Sequence, residues 1–206
     1  MTINITALEA SPNKTGHSSR LLDNFLQGVA IEAKALAIEI NIEKIYIQDL
    51  SIPNITQVDR VPNPENEKDK DFINLADKIQ KSKALIVSTP VWNFGYPAQL
   101  KQIVDRIGYF ALIKEGKKTT PQMKYLSTFF IYTCGGPDIG WWGIMRFTCA
   151  YGLSWAFRYY GVKIGGHMHV ARCVPGKGVD KHPWQLKRAE KRGKKFLRKL
   201  IKNIIT

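Results

Sequence analysis

Ala84-Leu85-Ile86-Val87-Ser88-Thr89-Pro90-Val91-Trp92-Asn93-Phe94-Gly95-Tyr96-Pro97 changes character in its middle. Its first five residues are a nearly continuous apolar run, the pattern of a central parallel strand covered on both faces. Two prolines, a glycine and three aromatics follow directly. A helical spacing then runs from about Ala98 to Tyr109. In open parallel sheets, ligands bind outside the carboxyl ends of the strands. An exposed apolar loop at such an end suits a flat aromatic ligand.

Outward from this unit the chain alternates strand and helix. Ile3 to Leu8 reads as a first strand, bounded by the turn-rich run Ser11-Pro12-Asn13-Lys14-Thr15-Gly16. A helix starts near Ser18 and carries Leu21, Leu22, Phe25 and Val29 at helical spacing. Alternation from Ala37 leads into a second strand ending near Ile47. Pro53 to Asp71, with three prolines and mixed charge, reads as an exposed loop before a helix over 72–81. Leu126 to Tyr132 is a further buried strand. Trp142 to Tyr160 is expected to be helical, Val162 to Val170 a last strand, and Pro183 to Ile204 a terminal helix. Five strands alternating with five helices imply an α/β fold with a doubly wound parallel sheet.

The composition fits one domain over residues 1–206. Apolar residues make up 44% and charged residues 23%, which excludes disorder. No stretch approaches the roughly 18 to 20 uncharged apolar residues of a membrane span, and no secretory signal is visible. Cys134, Cys149 and Cys173 are the three cysteines, a sparse, odd set that fits reduced thiols and a cytoplasmic location. Their spacing does not suit a metal site. The net charge of +14 is uneven: residues 177–206 hold 11 basic and 2 acidic residues, a net of +9. Such a segment is a solvated helix face or an attractor of anionic partners.

Two more loops leave the carboxyl ends of strands. Ser11 to Ser19 brings hydroxyls and the free N–H groups of a helix start together, where the helix dipole favours a phosphate. It has neither the Gly-Lys-Ser/Thr of a P-loop nor the Gly-x-Gly-x-x-Gly dinucleotide fingerprint. It reads equally as an ordinary loop with Ser18 as N-cap. Thr133-Cys134-Gly135-Gly136-Pro137-Asp138 has paired glycines that let the backbone approach a ligand, or simply turn.

Together the three loops resemble the NAD(P)H-dependent FMN reductase family of flavodoxin-like proteins. Pro90 to Lys101, with Asp105-Arg106, is similar to the family's most specific signature. Ser-Pro-x-Lys-x-Gly-x-Ser-Ser resembles its phosphate loop, and Thr133 to Gly136 its third loop. Glu9-Ala10 stands where the family often has glycine, and His17 where a small amide is common. The resemblance covers roughly residues 3–170 and implies a flavodoxin-like sheet of order 2-1-3-4-5. It also implies bound FMN with NADH or NADPH as co-substrate. Ser11, His17, Ser18 and Ser19 would hold the FMN phosphate. Pro90, Val91, Trp92, Asn93 and Phe94 would line the isoalloxazine, and Thr133, Gly135 and Gly136 would meet its other edge. The flavin carries the hydride chemistry, so no catalytic side chain is expected. A small-molecule electron acceptor and a homodimer with sites near the interface are implied as well.

Several residues keep other readings open. His167 and His169 share a strand face; a packed pair is expected in preference to a metal pair, so no metal is expected. Cys134 is expected to be a small packing thiol. Residues 141–160 hold eight aromatics, more than one helix face can bury, and the surplus suits a dimer interface, the flavin pocket or a hydrophobic substrate. The expected activity is hydride transfer from NAD(P)H through FMN to a quinone, flavin, azo or nitro compound. The alternatives are a one-electron carrier acting with a redox partner and, third, a binding module using the basic tail. That tail lacks aromatics interleaved for base stacking, so no specific nucleic-acid binding is expected.

Overall fold

The computed structural model describes residues 2–53, 69–137 and 152–205. The chain order is β1 (Ile3–Glu9), α1 (His17–Ala35), β2 (Ile40–Tyr46), α2 (Lys70–Lys81), β3 (Ala84–Val91), α3 (Ala98–Ala111), β4 (Leu112–Glu115), β5 (Lys118–Pro121), β6 (Ser127–Cys134), α4 (residues 152–159), β7 (Lys163–Val170) and α5 (Trp184–Ile205). Five strands form one parallel sheet in the order β2-β1-β3-β6-β7. With β6 and β7 as its fourth and fifth strands, this is the expected 2-1-3-4-5 order.

The apolar run Ala84–Val87 lies at the centre of the sheet, paired with β1 and β6, and is fully buried. Two cores explain why it is apolar on both faces. On one face Leu21, Leu22 and Phe25 of α1 pack with Ala189, Phe196 and Leu197 of α5. On the other, Leu75 of α2, Ile103 and Ile107 of α3, and Leu153 and Phe157 of α4 fill the layer. Phe25, Phe129 and Phe196 meet with ring centroids 4.6 to 5.8 Å apart and tie α1, β6 and α5 together. The apolar side of the basic terminal helix therefore belongs to the fold. Its packing on α1 needs two glycines. A Cβ on Gly28 would come 2.0 Å from the Glu190 carbonyl oxygen, and one on Gly193 would come 2.0 Å from that of Phe25.

Two details differ from the pattern of the sequence. The alternation from Ala37 does not start a strand there. Ala37 has a left-handed φ of 51° and its N–H closes the end of α1 on the Lys34 carbonyl, so β2 begins at Ile40. Between α3 and β6 the chain adds an exposed antiparallel hairpin, β4–β5, paired from Leu112↔Pro121 to Glu115↔Lys118. Its strands are four residues each and mostly charged or polar, too short and too exposed to carry a period-2 apolar signal. The expected loop over 53–71 and the aromatic-rich stretch 141–160 fall largely outside the described residues. Lys70–Lys81 is helical, two residues earlier than its apolar spacing begins.

Candidate functional site

Helix α1 starts at His17 with Gly16 as N-cap, and no side chain caps it. Ser18 is therefore inside the first turn and is not the cap. Its hydroxyl lies 2.6 Å from that of Thr133, while its carbonyl accepts from the Ser88 hydroxyl at 3.0 Å. These two bonds fasten the start of α1 to the carboxyl ends of β3 and β6. The first N–H groups of a helix have no intrahelical acceptor, so an uncapped start presents donors and a positive dipole end. Here they adjoin a cavity of about 400 Å³ whose wall includes Ser11, His17, Ser18, Pro90, Trp92 and Thr133.

The phosphate-loop candidate is held from beneath. Glu9, the last residue of β1, has no solvent exposure, and its Oε1 accepts the Ser11 N–H at 2.9 Å. Burial pushes its carboxyl up to about 8, against the opposing pull of that hydrogen bond and of Lys44. The Ser11 hydroxyl in turn accepts from the Asn13 N–H at 3.2 Å. His17 Nε2 lies 3.2 Å from the Val174 carbonyl, to which it can only donate, and its Nδ1 is buried without a partner. Ser19 faces elsewhere: it is fully buried, and its hydroxyl accepts from Lys44 Nζ at 3.1 Å. Of the four loop residues proposed from sequence, three line the cavity and Ser19 stands behind it.

The aromatic loop is a tight two-residue turn. Trp92 and Gly95 exchange both backbone hydrogen bonds, at 2.8 and 2.9 Å. The central residues Asn93 and Phe94 have φ of 46° and 67°. That is a type I′ geometry, which normally recruits Asn and Gly. A phenylalanine held there is strained, a feature that clusters at ligand sites. The turn keeps Trp92 and Phe94 in solvent, 50% and 44% exposed. Val91, Asn93 and Phe94 wall a second cavity of about 150 Å³, closed on its far side by Cys134, Gly135 and Gly136. Eleven of the twelve residues singled out from sequence thus surround two adjoining cavities at one end of the sheet. Cys173 and Asp180, which line the larger cavity, carried no such signal. They sit in the loop after β7, where nothing periodic marks a site.

Cys134 and Cys173 share a backbone bond, Cys173 N–H to the Cys134 carbonyl at 2.8 Å. The Cys173 thiol is pushed up to about 12, first by burial and then by Cys134. That is the behaviour of a packing thiol, not a nucleophile. His167 and His169 stack along one face of β7, with Tyr132 4.9 Å from His169 and Phe130 5.6 Å from His167 between ring centroids. Burial, with help from Arg158, lowers the pKa of His167. No group of three or more metal-ligating side chains occurs among the described residues. No helix among them is long and apolar enough to cross a membrane.

Comparison with known proteins adds findings of three kinds. An FMN-dependent NADH:quinone oxidoreductase of Mesomycoplasma hyopneumoniae (strain 232) is 26% identical over 175 residues, 79% of this chain and 81% of that protein. A protein of the same description from Beijerinckia indica subsp. indica is 28% identical over only 67 residues, spanning 31% of its length and 32% of this chain. Among solved structures, the NAD(P)H:quinone oxidoreductase from Methanothermobacter marburgensis has a TM-score of 0.71 at 17% identity, covering 94% of this chain and 96% of that one. The FMN-dependent NADH-azoreductase from Bacillus anthracis str. Ames Ancestor, solved in complex with FMN, also scores 0.71, at 16% identity, covering 96% and 99%. At such identities the structural likeness speaks for the fold. A family model described as flavodoxin-like fold matches residues 3–196. That match runs from the first residue of β1 into α5, through every strand of the parallel sheet, and the chain belongs to the flavodoxin-like fold family.

Proposed function

We propose that this protein is an FMN-dependent oxidoreductase that takes hydride from NADH or NADPH and delivers it to a quinone, flavin, azo or nitro compound. The observation that carries this reading is the uncapped first turn of α1 opening onto a cavity that adjoins an aromatic turn. A phosphate fits the first element and a flat ring system the second. The relatives described as FMN-dependent NADH:quinone oxidoreductases support it.

Ser11, His17 and Ser18, with the N–H groups of the first turn, would hold the FMN phosphate. Ser19 would contribute through its backbone, since its hydroxyl serves Lys44. Pro90 to Phe94 would flank one edge of the ring, with Trp92 and Phe94 excluding water from it. Thr133, Gly135 and Gly136 would flank the other edge and offer backbone donors to developing negative charge. When bound, FMN supplies the hydride chemistry, accepting hydride from the dinucleotide and passing it to the acceptor. No protein side chain is needed to transfer a proton in the hydride step.

We further propose a homodimer located in the cytoplasm. Trp155 and Tyr159 on α4 are 70% and 61% exposed, and Tyr109 near the end of α3 and Ile113 in β4 are about half exposed. An apolar group of this kind suits a protein–protein contact. The decisive experiment is to purify the protein, identify the pigment released on denaturation, and measure oxidation of NADH and NADPH with a quinone. Released FMN and rapid turnover are expected. FMN without dinucleotide oxidation would favour a one-electron carrier, and failure to take up added FMN would remove the reading.

A further inference from the structure

A third cavity, about 360 Å³, lies at the same end of the sheet and is walled by Gly135, Pro137, Arg172, Lys177, Lys181 and His182 among others. Gly135 and Pro137 also wall the small cavity beside Phe94, so the two spaces share a side. The Arg172 N–H donates to the Gly136 carbonyl at 3.0 Å and pins the loop after β7 to the loop after β6.

The charge of this cavity is one-sided. Arg172, Lys177 and Lys181 make no ion pair among the described residues, and no acid among them lines the wall. The nearest acid in sequence, Asp180, faces the other way. It pairs with Arg20, lies 3.9 Å from His17 Nε2, and accepts the Gly176 N–H at 3.2 Å. Its hydrogen bond with Arg20 holds its carboxyl below the usual range, so it stays ionised toward α1 and leaves the cavity cations unneutralised.

The loop is built to keep that arrangement. Arg172 has φ of 55°, a left-handed conformation that costs a residue with a Cβ. Gly176 and Gly178 take φ of 69° and 57°, and a Cβ on Gly178 would come 2.9 Å from the Arg172 carbonyl oxygen. Strain at a cationic residue beside a ligand cavity is the pattern of a clamp. Another basic cleft, at Arg192, Lys195 and Lys199, lies against Phe129 and Gly165 and shares no wall with the flavin cavities.

We propose that the cavity formed by Arg172, Lys177 and Lys181 binds a phosphate group of the nicotinamide dinucleotide, so that the nicotinamide can reach the flavin ring held beside the aromatic turn next door. This rests on the oxidoreductase reading above. Three cations and a histidine around one space match a phosphate, whether the 2′-phosphate of NADPH or the pyrophosphate common to both dinucleotides.

The test uses the flavin-loaded protein as purified and two probes, 2′,5′-ADP and ADP, titrated by calorimetry. The variant R172Q/K177Q/K181Q alters exposed side chains outside the FMN contacts. It should bind 2′,5′-ADP at least about tenfold more weakly, the loss of one to two charge-assisted contacts. The KM for the dinucleotide should rise in parallel, with FMN content and kcat at saturation unchanged. A control, K187Q/K191Q/K195Q, removes the same charge from α5 and should bind as the parent does. Loss confined to 2′,5′-ADP and NADPH identifies the 2′-phosphate; equal loss for ADP and NADH identifies the pyrophosphate. Equal binding by parent and variant, or equal weakening in the control, overturns the proposal. If probe binding weakens as expected while the parent oxidises neither dinucleotide, the phosphate site stands and the oxidoreductase reading falls.

Discussion

The carboxylate of Glu9 accepts the backbone N–H of Ser11 at 2.9 Å from a position without solvent exposure, directly beneath the turn that leads into α1. Its second oxygen is buried and has no hydrogen-bond partner. The protein thus keeps a carboxyl group where a charge is poorly accommodated, and burial pushes it from 4.5 up to about 8. Because the folded value lies above the unfolded one, the associated stability is complete below pH 4.5 and is lost as the pH rises to about 8. The full effect is at most on the order of 5 kcal/mol. Glu9→Gln is neutral at every pH and can still accept from Ser11. Urea denaturation between pH 5 and 9 should show the variant gaining on the parent as pH rises. Parallel profiles would mean that Glu9 is ionised in the fold.

Ser18→Asp places a carboxylate at the first turn of α1, beside the Thr133 hydroxyl. A carboxylate suits the helix start electrostatically. It should nevertheless repel a bound phosphate by several kcal/mol at an effective dielectric of about 20. FMN affinity, followed by flavin fluorescence, is expected to fall at least about a hundredfold. Ser18→Ala removes one neutral hydrogen bond and should cost less than about tenfold. An unchanged affinity in the aspartate variant would move the phosphate away from α1.

Gly193→Ala tests the packing of the terminal helix. In an exposed helix the change would add up to about 1 kcal/mol of stability. Here the new Cβ would lie 2.0 Å from the Phe25 carbonyl oxygen, so α1 and α5 must separate. A loss of roughly 1 to 3 kcal/mol is expected, seen as a Tm lower by several degrees. A higher Tm would show that α5 does not pack closely on α1.

Arg106 is 1% exposed and holds Asp69 at 2.7 Å and the Pro53 carbonyl at 3.2 Å. Arg106→Leu takes the guanidinium away from the buried Asp69 carboxylate, and loss of one partner of a buried ion pair typically costs about 3 to 5 kcal/mol. A Tm lower by roughly 10 °C should follow. Adding Asp69→Asn should recover part of that loss, and a calorimetric comparison of the three proteins measures it.

The order of strands and helices was legible in the residues themselves. Runs such as Ala84–Val87 are apolar at consecutive positions because both faces of a central parallel strand are covered, and α1 and α5 show their buried side as spaced leucines and phenylalanines. The three loops of the candidate site were legible because proline, glycine, serine and aromatics directly follow those strands. Other features depended on contacts between distant parts of the chain. Ser18 bonds Thr133 across 115 positions while Ser19 turns to Lys44, a difference that two adjacent serines do not reveal. The need for glycine at positions 28 and 193 shows only when two backbones are placed against them. Lys177 and Lys181 look like more of a basic tail that Arg172 precedes, and the fold brings the three to one cavity by left-handed turns and by turning Asp180 away. Periodicity records which side of an element is buried. It does not record which residues from other elements meet there, and that pairing, set by the tertiary packing, decides the charge and shape of the site.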